Sequence, residues 1–173
     1  METLEALKTR RSCRSFKPDM VPQDVLEQIV EAGTYAANGM GKQSPVIIAV
    51  TDKEMRDRIM CMNAAVFGKE GFDPFYGAPV ILAVLADASV FTAVEDGSLV
   101  MGNLMNAAAA LGVDSIWIHR CREEFASDEG KQILSELGIE GDYIGIGHCA
   151  LGYAAEPCKP AAPRKENYVY WVR

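Results

Sequence analysis

The sequence predicts one layered domain of the α/β or α+β class. Apolar runs typical of buried strands, such as Pro79–Ala86, alternate with stretches whose apolar residues recur at three and four, which is typical of helices. The chain has 173 residues, 49% of them hydrophobic, which suits one compact domain with a substantial core. We therefore expect residues 1–173 to form a single domain that ends in a proline-rich arm over about residues 153–173.

The N-terminal third predicts two helices, a loop and a strand. Thr3 is expected to cap a short helix that runs to about Arg10. A second helix is expected to open at Val21–Asp24, where apolar residues begin to recur at helical spacing. Ala36–Pro45 is predicted to be a loop, and the unbroken apolar run Val46–Val50 that follows it predicts a buried strand.

The middle of the chain predicts an amphipathic helix over Asp52–Met62 and a long connection over Asn63–Gly77. The aromatic residues of this connection would either line a site that the loop covers or anchor the loop to the core. Further strands are predicted at Pro79–Ala86, Ser115–Ile118 and Ile144–Leu151.

A helix predicted from about Thr92 to Leu111 has almost no polar face after its first turns, so it is expected to be buried nearly all round. A domain of this size has little interior for such a helix, and we therefore expect a second copy of the chain to cover part of it. The alternating apolar end Tyr168–Val172 is expected to pair as an extended strand with a sheet edge.

Composition excludes several classes of function. The formal net charge is -7, which makes nucleic acid a poor partner. Five cysteines, an odd number without a CxxC pair, argue against a disulfide framework, and the two histidines suggest no metal site. The apolar runs are shorter than the about 20 residues of a membrane span, and residues 1–5 do not resemble a signal peptide, so a soluble, cytoplasmic protein is expected. Common nucleotide, hydrolase and metalloprotease motifs are missing.

Two small basic clusters stand out in this acidic chain. Arg10–Arg14 holds three arginines and Ser12, and Arg164 and Lys165 follow about 150 residues later. Arginine binds phosphate oxygens with a planar fork of donors, while lysine adds a charge and serine a further hydrogen bond. A bound phosphate monoester explains both clusters, whereas the alternative is a pair of solvated helix ends.

Four segments in register resemble the FMN-dependent nitroreductase family. They are Arg10-Arg11-Ser12-x-Arg14-x-Phe16, Gly39–Pro45, Ile116–Ile118 and Pro163–Lys165. The resemblance spans essentially the whole chain. It implies an α+β fold, a three-layer α/β/α sandwich with a central, mostly antiparallel sheet, and a homodimer with exchanged C-terminal arms. It also implies FMN as the bound cofactor and NAD(P)H as a transient hydride donor.

The resemblance assigns roles to particular residues. Arg10, Ser12, Arg164 and Lys165 would hold the FMN phosphate, joined by Arg11, while Arg14 would stabilise negative charge on the reduced ring. Asn38 and Gln43 match the loop that crosses to the flavin of the other subunit, although Gly41 replaces a family asparagine. The strand end expected to present backbone N–H groups to flavin N5 consists of Trp117, Ile118, His119 and Arg120.

The implied activity is a two-step shuttle from NAD(P)H through FMN to a small oxidised acceptor, which could be a nitroaromatic, a quinone, an enone or another flavin. No side chain is compelled to act as a catalytic acid or nucleophile. His119 is either a proton donor or a solvent-facing residue at a strand end, and His148 is expected to be a packed strand residue. The alternatives are a non-catalytic or sensory flavin-binding dimer and a phosphate- or nucleotide-binding dimer without flavin.

Overall fold

A four-stranded sheet forms the centre of the structure, which is a computed structural model describing residues 1–173. Its strands are β1 (Pro45–Val50), β2 (Val80–Asp87), β3 (Asp114–Ile118) and β4 (Tyr143–Gly152). Their order in the sheet is β1-β2-β4-β3, and each neighbouring pair is antiparallel. The predicted α+β class and antiparallel sheet are confirmed.

Six helices surround the sheet: α1 (Thr3–Thr9), α2 (Gln23–Thr34), α3 (Lys53–Phe67), α4 (Ala93–Ala110), α5 (Cys121–Ala126) and α6 (Asp128–Glu136). Short 3₁₀ turns occur at Gly39–Gly41 and Glu166–Tyr168. None of the helices combines the length and the apolarity that crossing a bilayer requires.

The two faces of the sheet carry separate hydrophobic cores. Residues from Val80 to Ala86 in the central strand β2 are fully buried, because helices cover the strand on both sides. Ile81 and its alternate neighbours pack in one core with Ile59 of α3 and Phe125 of α5. Leu82 and its alternate neighbours pack in the other core with residues of α2 and α4. The predicted three-layer α/β/α sandwich is therefore confirmed.

Two local predictions are wrong between residues 46 and 77. The strand at Val46–Val50 is an edge strand that pairs only with β2, so Ala49 is exposed rather than buried. Helix α3 continues to Phe67, through the first part of the predicted connection Asn63–Gly77. It begins where Asp52 accepts a hydrogen bond from the N–H of Met55 at 2.8 Å, and it ends at Gly68 in the left-handed conformation.

Helix α4 is buried on one face only. Met101 and Leu104 are fully buried against the sheet, whereas Val94 is 40% and Leu99 is 49% exposed. The prediction of burial all round is therefore wrong for the single chain, which leaves an apolar surface on α4 uncovered. This surface is the reason we continue to expect a second copy of the chain.

The C-terminal arm leaves the sheet soon after β4. Ala154 bridges Phe16, and the N–H of Ala155 donates to the carbonyl of Ser15 at 2.9 Å. Every residue from 161 to 173 is exposed, and Tyr168–Val172 does not form the predicted strand on an edge of its own sheet. Exchange of the arm onto a second subunit stays a prediction.

Candidate functional site

The N-terminal basic cluster, Arg10–Arg14, lies against the first half of β3. After α1 ends, the chain extends so that Ser12 bridges Ser115 in parallel, and the N–H of Cys13 donates to the carbonyl of Ser115 at 3.0 Å. This pairing places Arg10 and Arg11 beside a cavity of about 370 Å³, which the start of β3 and the end of α4 also line. The sequence motif is thus anchored at one defined point of the sheet.

The side chains of this cluster differ in their surroundings. Arg11 donates through one nitrogen to the carbonyls of Lys8 at 2.9 Å and Arg10 at 2.6 Å, and it thereby closes the end of α1. Arg10 lies close enough to influence the buried thiol of Cys149: burial raises the pKa of Cys149 to about 12, and the positive charge of Arg10 partly opposes this. Arg14 is exposed.

Ser115 is a candidate site residue that the sequence did not predict. It is 1% exposed, it lines the same cavity as Arg10 and Arg11, and its hydroxyl oxygen has no hydrogen-bond partner. Buried hydroxyl groups are normally paired, so an unpaired donor next to two arginines suits an oxygen-rich anion. Only the pairing of Ser12 with Ser115 reveals this residue, since 103 positions separate the two in the sequence.

The other end of β3 opens into a second cavity, of about 380 Å³. Trp117, His119 and Arg120 line it together with the N-terminal half of α4 and the start of β4. The Trp117 ring lies directly on Gly147, where a Cβ would come within 2.4 Å of the indole nitrogen. Ser115 of the first cavity and His119 of the second are four residues apart, which is about 13 Å along an extended chain.

The N-terminal segment pairs with the outer edge of β3 at Ser115, and further backbone groups of the strand face this edge between the two cavities. The carbonyl of Ser115 faces this edge. Successive residues of a strand direct their N–H and C=O groups to opposite edges, so those of Trp117 face the same edge as those of Ser115. The N–H groups of His119 and Arg120 make no hydrogen bond within the chain. Arg120 adopts a left-handed φ of 77°, which is uncommon without glycine. Ile118 points instead into the core on the α3 side of the sheet.

A buried polar network supports this turn from behind. Glu124 accepts from Asn63 and contacts His148 Nε2 at 2.8 Å, and all three side chains are at most 1% exposed. Complete burial lowers the pKa of His148, but the neighbouring Cys121 and Glu124 raise it to about 10. His148 is therefore the packed residue of β4 that was expected, although its carboxylate partner was not.

The loop that carries Asn38 and Gln43 lies elsewhere in the chain. The side-chain Oδ1 of Asn38 accepts from the backbone N–H of Gln43 at 2.9 Å, so this side chain closes its own loop. Both residues line a third cavity, of about 270 Å³, between α2, β1 and α4. Asp96, which is 3% exposed, holds the loop by accepting from the N–H of Gly39 and the hydroxyl of Ser44. Within one chain this loop contributes to neither cavity of β3.

The C-terminal basic pair is also separate from the N-terminal cluster. Arg164 and Lys165 are both exposed. Arg164 donates to the carbonyl of Ala162 at 2.6 Å, and the Lys165 ammonium lies 5.3 Å from the centre of the Tyr168 ring. The structure does not bring this pair to Arg10 in the same chain, and their phosphate role stays a prediction.

Comparison with known proteins identifies similar chains. The sequence profile of the Nitroreductase family matches residues 7–153. A Methanothermobacter thermautotrophicus protein named as an NADH dehydrogenase/NAD(P)H nitroreductase is 30% identical, over 90% of this chain and 79% of its own length. The FMN reductase [NAD(P)H] of Bacillus subtilis is 27% identical, over 97% of this chain and 75% of its own length.

Solved structures give the same picture. A Bacteroides fragilis nitroreductase crystallised with bound FMN superposes with a TM-score of 0.88 at 28% identity, and the match covers 100% of both chains. A Desulfitobacterium hafniense nitroreductase with bound FMN gives the same TM-score at 26% identity, again over 100% of both chains.

Proposed function

Since this chain belongs to the nitroreductase family, we propose that it is an FMN-dependent oxidoreductase. It passes reducing equivalents from NAD(P)H to a small oxidised acceptor, such as a nitroaromatic, a quinone, an enone or a free flavin. The names of the related proteins and the FMN held by the superposed structures support this proposal.

One observation carries the assignment of the site. The unpaired, buried hydroxyl of Ser115 lies beside Arg10 and Arg11 at one end of β3, and unbonded backbone N–H groups lie at the other end. FMN has a phosphate at one end and a planar heterocycle with acceptor atoms at the other. The residues present therefore fit the cofactor along the outer side of β3, between its two ends.

When bound, FMN would supply the hydride and electron chemistry. The protein's part is to bind and orient. Arg10, Ser12 and Ser115 would hold the phosphate, assisted by Arg11. The N–H groups of His119 and Arg120 would face the heterocycle, and the Arg14 guanidinium would stabilise negative charge on it. No residue is assigned as a proton donor.

A homodimer would complete the site. The loop with Asn38 and Gln43 and the pair Arg164 and Lys165 lie away from β3 within one chain. The exposed apolar face of α4 and the exposed arm, in which Trp171 is 75% exposed, offer surfaces that a second subunit would cover. These residues would then reach the FMN of the opposite subunit.

Spectroscopy of the purified protein tests the proposal. We expect flavin absorbance after purification or after FMN is added, bleaching on anaerobic mixing with NADH or NADPH, and recovery on addition of a quinone or nitroaromatic. Binding without bleaching would favour a non-catalytic flavin module. If added FMN does not bind at all, the protein would be a phosphate- or nucleotide-binding dimer without flavin.

A further inference from the structure

A continuous chain of buried polar contacts joins β4 to the turn after β3. His148 Nε2 contacts Glu124 Oε2 at 2.8 Å, and the amide of Asn63 donates to Glu124 Oε1. The same Asn63 amide donates to the carbonyl of His119 at 2.8 Å, and its oxygen accepts from Arg120 Nε at 2.9 Å. The chain of contacts therefore ends on the two residues whose N–H groups are unbonded.

The network is held in a rigid frame. Helix α5, which carries Glu124, packs so closely on β4 that a Cβ on Gly145 would lie 2.2 Å from the carbonyl oxygen of Cys121. A Cβ on Gly130 of α6 would lie 2.2 Å from the carbonyl oxygen of Glu124. The ring of His148 is edge-on to the ring of Phe75, and 5.3 Å separates the two ring centres. These contacts leave Glu124 little freedom to move.

Burying such a polar network lowers the stability of the fold relative to apolar packing. A buried carboxylate with its partners costs desolvation energy that apolar residues of the same volume would avoid. His148 Nδ1 stays buried and unpaired, which adds to this cost. Apolar side chains in this place would stabilise the fold more, but they would leave the strained left-handed backbone of Arg120 without support.

We propose that Asn63, Glu124 and His148 are positioning residues that hold the backbone N–H groups of His119 and Arg120 toward the ring of the bound flavin. This inference rests on the proposed function, since it concerns the same cofactor. Asn63 is the central member, because it alone contacts the carboxylate, the His119 carbonyl and the Arg120 side chain.

The test compares Asn63→Leu with the wild type and with Glu136→Gln. Leucine has the same branching at Cγ as Asn63 but makes none of its hydrogen bonds. Glu136→Gln removes an exposed carboxylate on α6, paired with Arg58 at 2.9 Å, and serves as the control. Each apoprotein is titrated with FMN by fluorescence and with inorganic phosphate in competition, and the midpoint potential of bound FMN is measured.

We expect Asn63→Leu to raise the dissociation constant for FMN at least about tenfold and to leave that for phosphate unchanged. N5 of the oxidised ring accepts a hydrogen bond but carries a proton after reduction, so ordered N–H groups favour the oxidised form. Loosening these N–H groups should raise the dissociation constant of oxidised FMN about tenfold relative to that of reduced FMN. This change raises the midpoint potential by about 30 mV. Glu136→Gln should match the wild type.

A purely structural role predicts a different result, in which the melting temperature falls while FMN affinity and potential stay at wild-type values. That result would overturn the inference. If Asn63→Leu does not fold, Asn63→Ala replaces it, since this variant also removes the amide that contacts Glu124, the His119 carbonyl and Arg120, changes no charge, and should change affinity and potential in the same directions. If the wild type itself does not bind FMN, the proposed function fails instead, which is a separate outcome.

Discussion

The hydroxyl of Ser44 donates a 2.8 Å hydrogen bond to the buried carboxylate of Asp96, across 52 residues of sequence. The same carboxylate accepts from the N–H of Gly39 at 2.9 Å and from the hydroxyl of Thr92 at 3.1 Å. One side chain in the first turn of α4 therefore anchors a loop that contains left-handed residues at Met40 and Gln43.

Asp96→Asn should destabilise the protein at neutral pH. Burial raises the pKa of Asp96, but its three donors lower it further, so the net shift is downward. Exchanging a charged acceptor for a neutral one should cost about 1 kcal/mol, or about 2 to 4 °C in Tm. Because the folded pKa is lowered, this contribution is present above about pH 4 and is lost as the pH falls through the folded value.

Thermal unfolding of the wild type and Asp96→Asn between pH 3 and pH 7 would check the sign. The gap in Tm should be widest at pH 7 and should close toward pH 3. A gap independent of pH would contradict the role of the ionised carboxylate.

Ser115→Ala should weaken FMN binding without destabilising the apoprotein. The hydroxyl is unpaired and buried, so its removal relieves an unsatisfied group, while the phosphate loses one donor. We expect the dissociation constant for FMN to rise about tenfold, measured by fluorescence titration. Ser135→Ala, on the exposed side of α6, is the control. If Ser115→Ala and Ser135→Ala bind FMN with equal affinity, Ser115 does not contribute to the phosphate site.

Arg14→Ala should lower the midpoint potential of bound FMN, because the guanidinium favours the negative charge of the reduced ring. A tenfold change in the ratio of the affinities for oxidised and reduced FMN corresponds to a change of about 30 mV in the midpoint potential. Lys17→Ala removes a nearby exposed charge and should leave the potential unchanged. An unchanged potential in Arg14→Ala, with FMN still bound, would refute this role.

Leu99→Asp should convert a dimer into monomers. Leu99 and Leu137 are both 49% exposed, but only Leu99 lies on the open face of α4, so Leu137→Asp is a matched control. Sedimentation velocity should give a monomer for the first variant and a dimer for the second. The monomer should also lose FMN affinity, since loop and arm residues of the other subunit would be missing. A Leu99→Asp protein that stays dimeric would exclude this face as the interface.

The sequence predicted those elements whose apolar residues form an uninterrupted pattern along the chain. Strand β2 is an apolar run and α4 a long apolar helix, so their existence and type followed from local pattern. Helices α5 and α6 were not predicted, because they are short and only Ser127 separates them. Ser127 caps α6 by accepting from the N–H of Gly130 at 3.1 Å.

What the sequence determined by itself is the class of the domain, the family and the basic cluster at Arg10–Arg14, because neighbouring residues carry these signals. Only the tertiary structure decided that Ser115 lies beside that cluster and that Asn63, Glu124 and His148 meet behind the turn at Arg120. Such contacts depend on strand register and on how helices pack across the sheet. No spacing within the sequence encodes that geometry, since it arises only when distant segments share one core.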